Sequence, residues 1–218
     1  MNRFKAFLFD LNGTMIDDMS FHIRAWDTLL NELGAGISTD RVKKECYGKN
    51  HELLERIFPG RFTEREKDQI STNKEKKYQQ EFRPFMQLIS GLHDFLKRAH
   101  KKKVKMAIGS AAIQFNINFV LDELHIRDFF SCFVSADDVQ YSKPDPETYL
   151  KCARVLNIEP ADCIVFEDTP KGVEAAANAG MQAIVITTMH QPHEFTSFTN
   201  VMCFIEDYTS KELRMLVP

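Results

Sequence analysis

Polar residues of three chemical kinds stand at the ends of apolar runs in this sequence. Asp10, Ser110 and the pair Glu167 and Asp168 each follow such a run directly, and Lys143 follows another run after an acidic loop. A carboxylate can attack an electrophile or hold a divalent cation, while a hydroxyl and an ammonium can bind phosphate oxygens. Mg²⁺ is the expected cofactor because it prefers carboxylates, waters and phosphate oxygens as ligands. The residue types therefore point to metal-assisted phosphoryl transfer.

Each of these residues also has a purely structural explanation. Asp10, Ser110 and Asp168 could cap the turn or helix that follows them, and Lys143 could be a surface residue before a proline turn. The carboxyl ends of parallel strands share one edge of a sheet, where ligands usually bind. The occurrence of all these residues together at strand ends favours a common site.

The apolar runs alternate with segments of helical spacing. Such alternation predicts right-handed crossovers between parallel strands covered by helices on both faces. The fold class is therefore expected to be α/β, with a doubly wound, Rossmann-like parallel sheet. Five strands are predicted, at residues 4–9, 104–108, 131–135, 163–166 and 183–186.

Residues 18–83 differ from the rest of the chain, because nothing in them resembles a strand. An amphipathic helix is predicted from about residue 17 to 33, and a long polar helix from 63 to 82 ends before Pro84. We expect residues 18–83 to form an all-helical cap domain inserted after the first strand. Residues 1–17 and 84–218 are expected to form the α/β core domain.

Composition and charge argue against several classes of protein. The 218 residues are 44% hydrophobic, which suffices for a sizeable core, and the net charge of −3 gives no reason to expect nucleic acid as a partner. The five scattered cysteines lack metal-binding spacing and suit free thiols in a reducing compartment. The sequence contains no run of about 18 apolar residues, so no membrane span is predicted. We therefore expect a cytoplasmic protein without membrane contact and, in the absence of an interface signal, a monomer.

In order and position, these motifs resemble those of the haloacid dehalogenase superfamily of aspartate-nucleophile phosphotransferases. The resemblance is strongest to its phosphatase and β-phosphoglucomutase-like branch, which has a helical cap after the first motif. The matching segments are DLNGT at residues 10–14, Ser110, KPDP at 143–146 and EDTPKGVEA at 167–175. No one motif is decisive, but four in the right order near strand ends are specific.

The resemblance implies a role for each residue of the metal site. Asp10 would be the nucleophile that becomes an aspartyl phosphate. Its other oxygen, Asp168 and the backbone carbonyl of Asn12 would bind Mg²⁺, with Glu167 either beside the metal or a direct ligand.

The resemblance also implies which residues hold the phosphate. Ser110 and Lys143 would bind the transferring group and count with Asp10 and Asn12 as the catalytic positions. Three neighbours of these motifs are predicted to help bind the phosphate, namely Gly13, Thr14 and Ala111.

Asn12 departs from the family pattern. The family has an aspartate two residues after the nucleophile, which protonates the leaving oxygen and then activates the attacking water or hydroxyl. An amide cannot exchange a proton near neutral pH, so an acid–base contribution of about 10²–10⁴-fold should be lost or supplied by another group. Asn12 could be an engineered replacement, a natural variant that uses a good leaving group or another base, or the mark of a protein that binds phosphate compounds without efficient turnover.

The predicted cap contains residues that could bind the rest of a small phosphorylated metabolite. By resemblance, His22 stands where β-phosphoglucomutase-like members have a cap histidine, and His51 stands where they have an arginine, with Lys49 close by. Lys76, in the run 74–77, could supply the family's cap lysine. His22 could equally be a buried structural histidine, and the lysine run could be a solvated helix surface.

Three functions remain open from sequence. A mutase needs a firmly held second phosphate, which a bidentate arginine holds better than a histidine. The missing arginine therefore favours a phosphatase over a β-phosphoglucomutase-like phosphohexomutase. A non-catalytic phosphosugar-binding protein is the third possibility.

Overall fold

A six-stranded parallel sheet forms the centre of the computed structural model, which describes residues 4–216. The sheet order is β3-β2-β1-β4-β5-β6, so the direction of winding changes at β1 and the sheet is doubly wound, as predicted. The domain limits predicted at residues 1 and 218 lie outside the described residues. The strands are β1 (Ala6–Phe9), β2 (Lys105–Gly109), β3 (Cys132–Val134), β4 (Cys163–Glu167), β5 (Gln182–Ile186) and β6 (Val201–Ile205).

The chain divides into two compact units. One unit joins the chain up to Asp17 with the chain from Gln87 onward, and the other comprises Asp18–Met86. The helices of the first unit are α5 (Leu92–Lys101), α6 (Gln114–Glu123), α7 (Glu147–Leu156) and α8 (Pro170–Asn178). Those of the second are α1 (Met19–Glu32), α2 (Thr39–Glu45), α3 (Asn50–Ile57) and α4 (Glu64–Phe82).

Both faces of the sheet are covered because successive residues of a strand point to opposite faces. Leu8 of β1 belongs to a buried cluster with residues of α7 and α8. On the other face, Phe9 stacks on Phe166 with ring centroids 4.6 Å apart, and Phe7 stacks on Phe95 of α5 at 5.5 Å. This near-continuous burial is typical of parallel strands and makes β1 a rigid support for the residues that follow it.

Strand register fixes which residues meet at the carboxyl edge of the sheet. Phe9 lies opposite Ile108 of β2 and Phe166 of β4. The backbone N–H of Asp10 donates to Phe166 O at 3.0 Å, which extends the ladder by one residue. Asp10 therefore leaves the sheet at the level where β2 and β4 end.

The helical unit has a small apolar core of its own, in which Trp26 and Leu30 of α1 pack with Val42 of α2 and Leu54 of α3. The long helix α4 begins at a capping box, where Thr63 Oγ1 accepts from the N–H of Glu66 and the Glu66 carboxylate accepts from the N–H of Thr63. Capping and the burial of one face stabilise a helix whose other residues are mostly charged.

The structure contains a sixth strand, β6, that is not among the five strands predicted from the sequence. It lies at the edge of the sheet and pairs with β5 alone. Met202 and Phe204 remain exposed on it, so it has neither the continuous burial of a central strand nor an alternation of apolar and polar residues. No helix within residues 4–216 combines the length and apolar composition needed to cross a bilayer.

Candidate active site

Lys143 joins two of the predicted site carboxylates. Its Nζ donates to Asp10 Oδ1 at 2.6 Å, to Glu167 Oε1 at 2.8 Å and to the carbonyl of Gly109 at 3.1 Å. Burial disfavours the ammonium form, but attraction to Asp10 and Glu167 outweighs it and raises the pKa of Lys143 above its usual value. The structure therefore holds a protonated amine beside Asp10.

Glu167 is saturated with hydrogen-bond donors. Its Oε2 accepts from the backbone N–H groups of Asp168 and Thr169 and from the Thr169 hydroxyl, at 2.9 to 3.0 Å. Its Oε1 accepts from Lys143 and from the Tyr149 hydroxyl at 2.9 Å. Burial acts to raise the pKa of Glu167, but Lys143 and these hydrogen bonds lower it overall. Glu167 is thus an ionised acceptor that fixes the position of Lys143.

Asp168 is buried with only part of its carboxylate satisfied. Its Oδ1 accepts from the Thr14 hydroxyl at 3.1 Å, and within the described residues its Oδ2 has no hydrogen-bond partner. Burial raises the pKa of Asp168 well above its usual range, and the carboxylates of Glu167 and Asp10 raise it further. A Cβ atom at Gly13 would lie 2.1 Å from Oδ2, so only glycine leaves room for this carboxylate.

These residues fit Mg²⁺. No three His, Cys, Asp or Glu side chains within residues 4–216 are arranged to hold a metal by themselves. Mg²⁺ instead binds through one or two carboxylates and keeps waters or phosphate oxygens as its other ligands. Asp10 and Asp168 supply two such carboxylates. Together with Glu167 they outnumber the one ammonium of Lys143, and a divalent cation would compensate this excess of negative charge.

Ser110 follows β2 directly and is almost completely buried. Its Oγ accepts from the backbone N–H of Ala112 at 3.2 Å, with Ala111 half-buried in the same turn. The backbone N–H of Gln114, the first in α6, donates instead to the Asp137 carboxylate at 2.9 Å. Ser110 therefore lies in the turn before the helix and does not cap the helix itself.

The turn after β1 is anchored from the far end of the chain. The Thr188 hydroxyl donates to the carbonyl of Gly13 at 2.6 Å, and the Tyr208 hydroxyl donates to that of Thr14 at 3.0 Å. Asn12, at the start of this turn, is half-buried. Sequence reasoning missed both hydroxyls. Thr188 follows β5 by two residues, so the strand-end rule applied to the fifth strand would have indicated it, whereas no pattern marks Tyr208.

In the helical unit, His22 lies in a buried polar cluster. Its ring stacks on Tyr78 with centroids 3.8 Å apart, its Nδ1 lies 2.5 Å from Lys74 Nζ, and its Nε2 lies 3.2 Å from Asp18 Oδ2. Because the ammonium can only donate, this arrangement fits an imidazole that carries its proton on Nε2. Lys74 also donates to Glu75 at 3.0 Å. The buried lysine beside His22 is thus Lys74.

The other residues predicted in the cap lie apart from this cluster. Lys76 is exposed on α4, and Lys49 is the residue before the first turn of α3. His51 lies between two acids, with Nδ1 3.1 Å from Glu64 and Nε2 3.0 Å from Asp68. Both ring nitrogens of His51 therefore already contact protein carboxylates.

Comparison with known proteins gives the family. Residues 7–186 match the family model described as haloacid dehalogenase-like hydrolase. A fructose-1-phosphate phosphatase of Escherichia coli is 26% identical over 84% of this chain and 96% of its own length, and a β-phosphoglucomutase of Bacillus subtilis is 30% identical over 83% of each chain. The crystal structure of a β-phosphoglucomutase from Clostridium difficile is similar with a TM-score of 0.82 and 25% identity, over 97% of this chain and 95% of that one. On these matches and the six-stranded doubly wound sheet, the chain belongs to the haloacid dehalogenase-like hydrolase family.

Proposed function

We propose that this protein is a Mg²⁺-dependent phosphatase for a small phosphorylated metabolite such as a sugar phosphate, acting through an aspartyl phosphate on Asp10. Two observations carry the proposal: the Lys143 ammonium is held between Asp10 and Glu167, and the buried Oδ2 of Asp168 has no hydrogen-bond partner within residues 4–216. This arrangement supports the proposed roles of nucleophile for Asp10, phosphate-binding cation for Lys143 and metal ligand for Asp168. The names of the phosphatase and mutase relatives support the substrate class.

The chain's residues divide the reaction between them. A carboxylate oxygen of Asp10 forms a bond to phosphorus, and the bond from phosphorus to the ester oxygen breaks with its electron pair on the leaving oxygen. Lys143 and Ser110 hold oxygens of the transferring group, and Lys143 stabilises the charge that builds on them. Asp10, Asp168 and the carbonyl of Asn12 would hold Mg²⁺, which would neutralise part of this charge.

We assign Glu167 to positioning. Binding the metal directly through either oxygen would disturb the two donors on Oε1 or the three on Oε2, whereas in its present place Glu167 fixes the ammonium of Lys143. Gly13, Thr14 and Ala111 border the same turns and are proposed to help bind the phosphate.

Asn12 limits both halves of the cycle in this proposal. The leaving oxygen must take a proton, and a water must lose one when it attacks the phosphorus of the aspartyl phosphate and releases the Asp10 carboxylate. The amide of Asn12 can hydrogen-bond but cannot give or take these protons. Both proton transfers then depend on solvent or another group, so we expect Mg²⁺ and phosphate binding to be retained while turnover is slow.

The charges of the helical unit favour a phosphatase over a mutase. His51 is paired with Glu64 and Asp68, and Lys74 with Glu75. Any phosphate bound by these side chains would have to compete with the carboxylates. The second candidate function, a phosphohexomutase, is favoured by the similarity to the Bacillus subtilis β-phosphoglucomutase, and Asn12 itself favours the third, a phosphosugar-binding protein without turnover.

A phosphate-release screen tests the proposal. The unaltered chain and Asn12→Asp would be assayed with Mg²⁺ on sugar phosphates, polyol phosphates, phosphoglycolate-like acids, nucleotides and pyrophosphate, with Asp10→Asn as the matched control. We expect Asn12→Asp to raise turnover by about 10²-fold or more and Asp10→Asn to abolish it. A rise below about threefold would contradict the role given to Asn12.

Two further measurements separate the alternatives. In the first, Asn12→Asp is assayed for conversion of glucose 1-phosphate to glucose 6-phosphate and for phosphate release. Conversion that is much faster than release would establish the mutase. Mass spectrometry would detect modification of Asp10 by acetyl phosphate, and a ligand-binding measurement would detect beryllofluoride, both with Mg²⁺ present. If Asp10 gives neither product, the protein is the non-catalytic phosphosugar-binding protein.

A further inference from the structure

Two hydroxyls fix successive carbonyls of the turn that follows β1. Thr188 donates to Gly13 O at 2.6 Å and Tyr208 donates to Thr14 O at 3.0 Å. Both donors lie beyond residue 186, where the match to the family model ends. This turn is thus held in place by residues outside the matched region.

The same turn holds Asp168 on two sides. The Thr14 hydroxyl donates to Asp168 Oδ1 at 3.1 Å, and Gly13 leaves the space that Asp168 Oδ2 occupies. A shift of the turn by a few tenths of an ångström would lengthen the hydrogen bond from Thr14 or reduce the space that Gly13 leaves for Asp168 Oδ2. The position of Oδ2, which is buried without a described hydrogen-bond partner, therefore depends on how firmly the turn is anchored.

Tyr208 is a rigid anchor. It is 1% exposed, and its ring lies 5.7 to 6.4 Å from the rings of Phe9, Phe95 and Phe166. Its backbone N–H donates to Ser90 O at 2.9 Å. With the ring and the backbone both fixed, the hydroxyl has almost no freedom to follow a displaced carbonyl.

Thr188 is anchored through its neighbour. The backbone N–H of Thr187 donates to Ile205 O at 2.9 Å and ties the segment to β6. The Thr187 hydroxyl donates to the same carbonyl at 3.3 Å. Thr187 and Thr188 are thus adjacent, half-buried threonines whose hydroxyls each donate to a backbone carbonyl. Of these two hydroxyls, that of Thr188 donates to the turn after β1.

We infer that Thr188 and Tyr208 are positioning residues for the Mg²⁺ site, acting on Asp168 through the turn at Gly13 and Thr14. The inference rests on the proposed function, because it requires Asp168 to bind Mg²⁺. Partners that orient metal ligands commonly change metal affinity by about 10- to 100-fold when they are removed. Thr188 and Tyr208 act one residue further from the metal, so a smaller effect of about three- to tenfold is expected for each.

Mg²⁺ affinity of the full chain without substrate, measured by isothermal titration calorimetry, tests the inference. We expect Thr188→Val and Tyr208→Phe each to raise the Kd for Mg²⁺ by about three- to tenfold. Thr188→Ser keeps the hydroxyl and should bind as the unaltered chain does. Thr187→Val loses the longer hydroxyl bond to Ile205 O but keeps the backbone bond that ties the segment to β6, and Tyr141→Phe alters an exposed tyrosine. Both should change the Kd by less than about twofold.

The outcomes separate this inference from the proposed function. If the unaltered chain binds Mg²⁺ but Thr188→Val and Tyr208→Phe bind it equally well, the inference is overturned and the proposed function stands. Equal weakening by Thr187→Val, or a lower unfolding temperature with an unchanged Kd, would assign the two hydroxyls a structural role only. No Mg²⁺ binding by the unaltered chain would overturn both.

Discussion

The ammonium of Lys143 lies 2.6 Å from Asp10 Oδ1, so the predicted nucleophile and a predicted phosphate-binding group form a buried ion pair. Glu167 holds the same ammonium from the other side at 2.8 Å. A single cation thus compensates part of the charge of two carboxylates that the apolar strands β1 and β4 bring together. Loss of this cation should affect the fold as well as the chemistry.

Lys143→Met tests this double role. Removal of one partner of a buried ion pair costs about 3–5 kcal/mol, because the remaining charge is left uncompensated. We expect a loss of this size in the free energy of unfolding, measured by urea denaturation, and a fall in phosphate release by Asn12→Asp of about 10²-fold or more. Lys151→Met, which breaks the surface pair with Glu147, is the control and should cost at most about 1 kcal/mol. Equal losses in the two variants would contradict the assignment.

Tyr149→Phe tests whether Glu167 needs both of its side-chain donors on Oε1. The variant removes the hydroxyl bonded to Glu167 at 2.9 Å but keeps the ring, whose centroid lies 4.7 Å from Lys143 Nζ. We expect a loss of about 1 kcal/mol in stability, the scale of one buried hydrogen bond. In the Asn12→Asp background we expect kcat to fall about fivefold with little change in KM, since about 1 kcal/mol corresponds to that factor.

A rise in KM with an unchanged kcat would place Tyr149 in substrate binding and contradict its role through Glu167. Tyr141→Phe, at an exposed tyrosine, serves as the matched control.

The fold could be predicted because its signals are local. Residues 4–9 and 163–166 are apolar runs of strand length that end in acids, and the rule that parallel strands share a carboxyl edge then groups Asp10 with Glu167 and Asp168. The register of β1 with β2 and β4 confirms that these strands end at one level. The individual roles of the site residues stay predictions.

Other features could not be predicted, because they depend on contacts between distant residues. The hydroxyls of Thr188 and Tyr208 reach carbonyls 175 and 194 residues away, and no periodic pattern encodes such a hydrogen bond. The choice between Lys74 and Lys76 depends on which face of α4 packs against α1. Lys74 shares a face of α4 with Tyr78, one turn later, and meets His22 of α1 there, whereas Lys76 points away from that face.

Asp168→Asn should have opposite effects on stability with and without Mg²⁺. Burial and the carboxylates of Glu167 and Asp10 raise the pKa of Asp168, so the ionised form opposes folding when no cation is bound. In chelator we expect Asp168→Asn to be more stable than the unaltered chain by about 1 kcal/mol, the scale of one poorly compensated buried group. At Mg²⁺ of about 100 times its Kd, the unaltered chain gains about 2.7 kcal/mol and becomes the more stable.

Urea denaturation of both chains in chelator and in Mg²⁺ checks this reversal. Asp162→Asn, which removes a carboxylate paired with Lys5 at 2.7 Å in the same unit, should show no reversal. The same order of stability in both conditions would contradict Asp168 as a metal ligand.

The stability of the helical unit should depend on pH through Glu75. Glu75 is buried and accepts from Lys74 at 3.0 Å and from Asn50 at 2.8 Å. Burial acts to raise its pKa, but attraction to Lys74 and the hydrogen bonds from Asn50 and Lys74 lower it below the usual value of 4.5. A carboxyl group with a lowered folded-state pKa contributes its full stability above its unfolded-state pKa, and this contribution is lost as the pH falls through the folded-state value. We therefore expect Glu75→Gln to cost about 3 kcal/mol at pH 7, since Lys74 then loses its buried partner, and progressively less below pH 4.5.

Trp26 is the one tryptophan of the chain and lies in the core of the helical unit, so its fluorescence during urea unfolding reports on that unit. Glu64→Gln, at an exposed position of the same helix, is the control and should show a much smaller effect at every pH. A difference between Glu75→Gln and the unaltered chain that stays constant from pH 7 to pH 4 would show that the Glu75 charge does not stabilise the unit. Such a result would mean that the hydrogen bonds of Glu75, which a glutamine can partly replace, act independently of its ionisation.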